Sequence, residues 1–246
     1  MAIAEPLLEQ TYGLVPHESA VLDIGCNDGG LLARIRSARP DIKLAGIDLD
    51  PEAVEQARLT VPDADLRVGS VAELPFPADA AFDLVTCMDV IEHLPEPIRA
   101  PMFREVRRVL KPGGRFILQT PHAGTFEALD AQNLRHRFPS LYRRFLRRGL
   151  RDRAYAGKQD VVWHKHFTLG ELLAIAGPDW NVERARYPGL LLWPLADLIL
   201  WPFHRSGRTD HRVAEWLRRA IDWDGSRDYG PKRGYEILLT LTLTRP

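Results

Sequence analysis

Cysteine is scarce in this chain of 246 residues, which has only Cys26 and Cys87. Two thiols cannot build a disulfide framework, a four-cysteine zinc site or an iron–sulfur cluster, and no Cys-x-x-Cys spacing occurs. A reducing, cytoplasmic compartment is the expectation. An excess of either charge is also lacking, since 33 lysines and arginines face 33 aspartates and glutamates. That balance excludes a wholesale nucleic-acid coat and an acidic tail, so any charged partner must be met locally. No run of eighteen apolar residues occurs, which excludes an ordinary spanning helix. The opening MAIAEPLLEQTYGLVPHES has an early glutamate and no basic region, and does not read as a signal peptide. What is present, 45% hydrophobic and 27% charged residues, is enough to close one core.

Along the first 120 residues short apolar runs alternate with helical patterns, the arrangement of a parallel sheet with helices on both faces. Strands are expected at 20–25, 43–48, 64–69, 82–88 and 114–120. Helices are expected at 31–38, 52–59 and 98–110, where apolar residues recur at three- and four-residue spacing. Pro51 suits a first helical turn after Asp50, and Pro112-Gly113-Gly114 supplies a stop after the third helix. Beyond Thr120 the rhythm breaks into a basic, aromatic segment. A helix follows from Leu169 to Ala176 behind Thr168, then a strand near Val182 to Tyr187. A last strand, Glu236 to Thr244, alternates Ile237, Leu239, Leu241 and Leu243 with other residues. Residues 122–165 and 188–232 therefore read as two insertions, one basic and one apolar and Trp-rich, in a single domain spanning 1–246.

The segment V21-L-D-I-G-C-N-D-G-G-L-L32 runs from a strand through a glycine turn into a helix. Gly25 can take a conformation closed to other residues, Gly29 permits close approach to the backbone, and the free amides of the following helix suit an anionic group. Asp48 ends the second strand nineteen residues after Gly29, where a carboxylate can accept hydrogen bonds from two ribose hydroxyls. A dinucleotide reading would use G25-x-x-x-G29-G30, which lacks the glycine at which a pyrophosphate approaches the backbone.

These motifs resemble the class I S-adenosylmethionine-dependent methyltransferases. D-I-G-C-N-D-G matches the family's first motif, G-I-D-L-D its second, and G-S-V-A-E-L-P-F its adenine-contacting segment. The likeness continues through F-D-L-V-T-C-M-D-V-I-E-H-L and L-K-P-G-G-R-F-I-L-Q-T-P, and resumes at H-F-T-L-G-E-L-L-A-I-A-G and the final strand. The resemblance implies an α/β, Rossmann-like, seven-stranded and mostly parallel sheet with an antiparallel last strand. It further implies that Asp23, Gly25, Cys26, Asn27 and Gly29 surround the methionine part of S-adenosyl-L-methionine, with Asp48 on the ribose. Leu49 and Val71 would flank the adenine, Ser70 would stand where many members carry an aspartate, and Met88 and Asp89 would line the same pocket. Asn27 replaces the usual middle glycine. The product would be S-adenosyl-L-homocysteine, and no resident metal is implied.

A sulfonium methyl is already activated, so the protein must align the acceptor and, for a hydroxyl, remove its proton. His93, in M88-D-V-I-E-H-L94, follows the fourth strand at the carboxyl edge, and is the leading candidate for a base. The competing reading is that Glu92 and His93 only begin a helix. His122 follows the fifth strand, and His166 belongs to W163-H-K-H166, whose alternate spacing puts His164 and His166 on one side of an extended segment. Two clustered histidines without further ligands are a weak metal motif. C87-M-D-V90 differs from the Asn-Pro-Pro-Tyr type of base N-methyltransferases, which points to a small-molecule, quinone or lipid acceptor and away from nucleic acid.

Residues 135–153 contain eight arginines and one acid with apolar residues at near-helical spacing, a solvated lid or a surface for anionic lipid, phosphate or RNA. Residues 189–204, G-L-L-L-W-P-L-A-D-L-I-L-W-P-F-H, are too short and broken to span a bilayer, and Asp197 would be costly in hydrocarbon. Tryptophans suit an interface, so the segment reads as a peripheral membrane contact, a buried flap or a dimer contact. The expected partner is a small or lipid-linked methyl acceptor.

Overall fold

Strands that are apolar on both sides must be covered by helices above and below, and this requirement organises the chain. The computed structural model describes residues 16–76, 82–125, 165–190 and 212–244, together with residues 13, 192 and 200. Seven strands, β1 (Ala20–Ile24), β2 (Lys43–Asp48), β3 (Asp65–Val68), β4 (Phe82–Met88), β5 (Leu110–Pro121), β6 (Trp180–Arg186) and β7 (Glu236–Leu243), form one sheet. Their order is β3-β2-β1-β4-β5-β7-β6. Strands β1 to β5 run parallel, and β7 lies antiparallel to both β5 and β6, as expected for the last strand.

The helices α1 (Gly30–Ala38), α2 (Pro51–Thr60), α3 (Glu96–Val109), α4 (Leu169–Ala176) and α5 (Arg212–Ser226) cover the two faces. On one face Leu32 and Ile35 of α1 and Val54 and Ala57 of α2 pack on Val21, Leu44, Leu84 and Ile117, joined by Ile221 of α5. On the other, Met102, Phe103 and Val106 of α3 meet Leu22, Ile24, Val85 and Leu118, with Leu172 of α4 beside them. The expected caps are in place. The Asp50 side chain accepts from Glu52 N at 3.0 Å ahead of Pro51, and Thr168 and Glu171 form a reciprocal capping box.

One strand is longer than its sequence pattern suggests. Leu110 pairs with Phe82 and Arg115 with Leu84, so the residues between Leu110 and Arg115 bulge from β5 where a plain turn was expected. Gly113 takes φ +78°, and Pro112, having no N–H, gives no ladder bond there. The expected stop thus sits inside the strand.

Both insertions are rooted at the carboxyl edge of the sheet. His122 bridges Phe167, with Phe167 N donating to Pro121 O at 3.0 Å and Ala123 N to Phe167 O at 3.0 Å. Pro188 bridges Asp228, while Tyr235 N and Glu236 N donate to Gly189 O and Pro188 O at 2.7 and 3.1 Å. The departing and returning strands of each excursion are stitched together. Residues 135–153, His164, Trp193 and Trp201 lie outside the described residues. Among the described residues no helix is long and apolar enough to cross a membrane.

Candidate functional site

The loop leaving β1 reverses within five residues because three of them take left-handed backbone: Gly25 (φ +75°), Asn27 (φ +46°) and Gly29 (φ +79°). Asparagine is among the few side chains that visit this region readily, so Asn27 preserves the turn without the usual glycine. Gly25 N and Cys26 N donate to Ile47 O at 2.8 and 3.0 Å, pinning the loop to β2. A Cβ at Gly25 would collide with Val90 Cγ2 from the loop after β4, so glycine is required there for space as well as for conformation. At Gly29 a Cβ would stand 3.2 Å from Ala57, so this glycine also lets α2 close against the loop.

Asp48, at the carboxyl end of β2, accepts from Asn27 N and Asp50 N, both at 2.9 Å. Its carboxylate is thereby fixed beside the glycine loop. Next to it Leu49 is 75% exposed, an unusual position for a large apolar side chain. Gly69 N donates to Asp48 O at 3.0 Å, which brings the exit of β3 alongside. Ser70 Oγ accepts from Ala72 N at 3.2 Å, and Val71 packs against the edge of the core. Under the loop Asp23 is buried and accepts from Thr86 Oγ1 at 2.7 Å. Burial pushes its carboxyl up to about 7, opposed by the Thr86 hydrogen bond and assisted by the charge of Asp48. Burial, then the charges of Asp23 and Asp48, push the Cys26 thiol up to about 12, so it is no nucleophile at neutral pH.

Around β4 and β5 the acceptor candidates separate into two places. Asp89 (φ +55°) donates its N–H to Gln119 O at 3.1 Å, and Gln119 Nε2 donates to Asp89 Oδ1 at 3.4 Å. Met88 packs at the margin of the α1 and α2 face. The 3-10 turn Ile91–His93 follows, in which Glu92 is wholly buried and accepts from Thr120 Oγ1 at 3.0 Å. The His93 side chain is 35% exposed, with Nε2 4.0 Å from Glu92 Oε1.

His122 and His166 come together elsewhere, both buried. His122 Nδ1 lies 3.3 Å from Gly234 O and His166 Nδ1 3.1 Å from His122 O. A carbonyl can only accept, so each Nδ1 carries the proton in these bonds. The His122 ring meets Tyr187 edge-on at 4.9 Å, and His166 meets Tyr235 at 5.7 Å. Burial lowers the His122 pKa, the Gly234 carbonyl raises it, and neighbouring His166 lowers it. Sequence reasoning named the two histidines but missed Tyr187, Tyr235 and Thr120, which reach them or Glu92 only through strand pairing. Among the described residues no group of three His, Cys, Asp or Glu side chains could hold a metal ion.

Residues 21–114 match the family described as a methyltransferase domain. Over 104 residues the chain is 43% identical to the ubiquinone biosynthesis O-methyltransferase of Xanthomonas oryzae pv. oryzae, a match covering 41% of this chain and 42% of that protein. The corresponding protein of Xanthomonas axonopodis pv. citri is 41% identical over 111 residues, 44% of this chain and 45% of its own. The chain thus spans less than half the length of these curated relatives. Among solved structures, a TehB-like SAM-dependent methyltransferase from Corynebacterium glutamicum aligns with a TM-score of 0.57 and 16% identity, over 99% of this chain and 89% of that one. A SAM-dependent methyltransferase from Methanosarcina mazei gives 0.59 and 19%, over 98% of both chains. These similarities extend the shared fold beyond the matched segment: residues 21–114 match a methyltransferase domain, and the chain as a whole has the fold of the solved SAM-dependent methyltransferases.

Proposed function

We propose that this protein transfers the methyl group of S-adenosylmethionine to an oxygen of a small or lipid-linked acceptor, releasing S-adenosylhomocysteine. The observation that carries the reading is the Asp48 carboxylate, held by Asn27 N and Asp50 N at 2.9 Å beside the glycine loop and next to an exposed Leu49. A fixed carboxylate suits vicinal hydroxyls, and an exposed leucine beside it suits the face of an aromatic base, so the donor set fits this cofactor. Asp48 would hold the ribose and Leu49 and Val71 the adenine, with Ser70 near its edge. Asp23, Gly25, Cys26, Asn27 and Gly29 would surround the methionine part, and Met88 and Asp89 would close the pocket. When bound, the cofactor supplies a sulfonium-activated methyl that a nucleophile displaces in line. The name of the curated relatives, ubiquinone biosynthesis O-methyltransferase, supports oxygen as the acceptor atom and a small molecule as its carrier.

His93 is the base in this reading. It is the most exposed of the three histidines at the carboxyl edge, with Nε2 4.0 Å from Glu92 Oε1. His122 and His166, with Nδ1 committed to carbonyls, serve as the wall that positions the acceptor.

Calorimetric titration with S-adenosylhomocysteine tests the cofactor site. The parent protein is expected to bind, and Asp48→Ala to lose at least about tenfold in affinity as two hydroxyl acceptors disappear. A parent that does not bind would overturn the reading. With an acceptor found among phenols, quinols and glycolipids, His93→Ala should lower kcat about a hundredfold while leaving S-adenosylhomocysteine affinity unchanged. Undiminished turnover would remove His93 from the reaction.

A further inference from the structure

We infer that Arg99 is the receptor for an oxyanion, a carboxylate or a phosphate, carried by the methyl acceptor. This residue, in the first turn of α3, is only 8% exposed. A guanidinium cannot lose its charge, and arginine is seldom buried to this degree without an anion. Among the described residues none supplies one. Glu96, three residues before it, is exposed and makes no ion pair with it. Glu92, in the preceding loop, accepts from Thr120 Oγ1 at 3.0 Å and is not within ion-pair distance of Arg99. Arg99 instead touches a carbonyl and a ring: Nε donates to Leu94 O at 2.9 Å, and the guanidinium carbon lies 5.1 Å from the centre of the Phe167 ring. Nη1 and Nη2, the end of the fork, keep their N–H groups for a ligand.

A second cation converges on the same ring. Lys165 Nζ stands 4.8 Å from the Phe167 ring centre and 3.1 Å from Glu171 Oε1, while the other oxygen of Glu171 caps α4. Two cations thus share one committed carboxylate. The excess positive charge lies in a partly desolvated place, where attraction for an oxyanion is strengthened. The planar fork matches a carboxylate or phosphate better than a neutral oxygen. Position assigns the anion to the acceptor. Phe167 is stitched to Pro121 and Ala123 at the end of β5, two strand positions from β1 and so about 10 Å across the sheet from the glycine loop. Leu94, which Arg99 holds, directly follows His93, so an anion gripped at Arg99 brings the rest of its carrier beside the base. The inference rests on the methyl-transfer reading for the identity of that carrier, whereas the anion site itself does not.

The test is calorimetric titration of the full chain, saturated with S-adenosylhomocysteine, with 4-hydroxybenzoate and phenyl phosphate and with their neutral counterparts 4-hydroxybenzamide and phenol. At least one anion should bind the parent about tenfold more tightly than its neutral counterpart, and which one does so identifies the oxyanion. Arg99→Gln should abolish that preference. Arg99→Lys should keep part of it, since the charge survives without the fork, and Lys165→Gln should reduce it about two- to threefold. S-adenosylhomocysteine affinity should be unchanged in all three variants. A parent without preference for either anion would overturn the inference with no variant involved, as would a preference that persists in Arg99→Gln. Lost S-adenosylhomocysteine affinity in an Arg99→Gln protein with the parent's urea midpoint would do the same, assigning the guanidinium to the cofactor's own carboxylate. Failure of the parent to bind S-adenosylhomocysteine is a separate result that strikes the methyl-transfer reading, and the same anion titrations on the unloaded chain then decide the site.

Discussion

Asp23→Asn is expected to stabilise the cofactor-free protein at pH 8 by about 2–4 kcal/mol. The Asp23 carboxyl is buried beneath the glycine loop and its pKa stands at about 7, against 3.8 for an ordinary aspartate. The folded state therefore binds this proton more tightly than the unfolded chain does. Below about pH 4 both states are protonated and the group costs nothing. Between about pH 4 and 7 the unfolded state ionises while the folded state resists, and the penalty grows; above about pH 7 it is constant. Asparagine is isosteric, keeps an oxygen to accept from Thr86 Oγ1, and carries no charge to desolvate. Urea midpoints at pH 5 and pH 8 read the effect directly. The variant's advantage should shrink by about half or more at the lower pH. An advantage of the same size at both values, or none at pH 8, would refute the assignment of a costly buried charge at Asp23.

The second large effect is expected at Asp224, which ties the start of the second insertion to the helix α5 within it. One carboxylate oxygen accepts from Leu190 N at 3.1 Å and Leu192 N at 2.9 Å, and the other from Tyr229 OH at 2.8 Å. Burial, this hydrogen bond and the Asp224 charge push the Tyr229 hydroxyl up to about 12, so it stays a donor across the whole physiological range. Asp224→Ala strands three donors around a buried site and should cost about 3–5 kcal/mol. Asp224→Asn can still accept both amides through Oδ1 while its NH2 donates to the Tyr229 oxygen, so it should cost about 1–2 kcal/mol. Denaturant unfolding of the two variants tests the ordering. Equal losses would mean that the carboxylate fills space and does not bind the three donors.

Features written in local periodicity were the legible ones. The apolar runs of β1, β2 and β4 end within a residue of their expected limits, because strands buried on both faces leave an unbroken apolar signature. The Asp50 and Thr168 caps could be read for the same reason: each is a side chain acting on amides two or three residues ahead. Helix α5 carries the helical period, with Ala214, Leu217 and Ile221 at three- and four-residue spacing, but it lies inside the stretch 188–232 that reads as an insertion, and its outward Trp216 and Trp223 blur the apolar face. At the site, Gly25 and Asp48 are joined by loops of local geometry, and their juxtaposition follows from the strand–turn–helix pattern. The His122, His166, Tyr187 and Tyr235 cluster does not. It forms only when β7 inserts between β5 and β6, and contacts made across 44 or 112 residues of sequence leave no periodic trace.

The stitched roots of the two insertions bear on how this surface can change over time. Since Phe167 N bonds to Pro121 O and Tyr235 N to Gly189 O, the ends of each excursion are already held together by the sheet. The entropy of closing what lies between them then grows only with the logarithm of its length, about 0.6 kcal/mol for each doubling. Segments of quite different size and chemistry can be exchanged at those two anchor points for less than the cost of one poorly chosen core substitution. Shortening, lengthening or grafting at these junctions is accordingly the route by which descendants of this chain would acquire new surroundings for the carboxyl edge while the strands beneath stay in register.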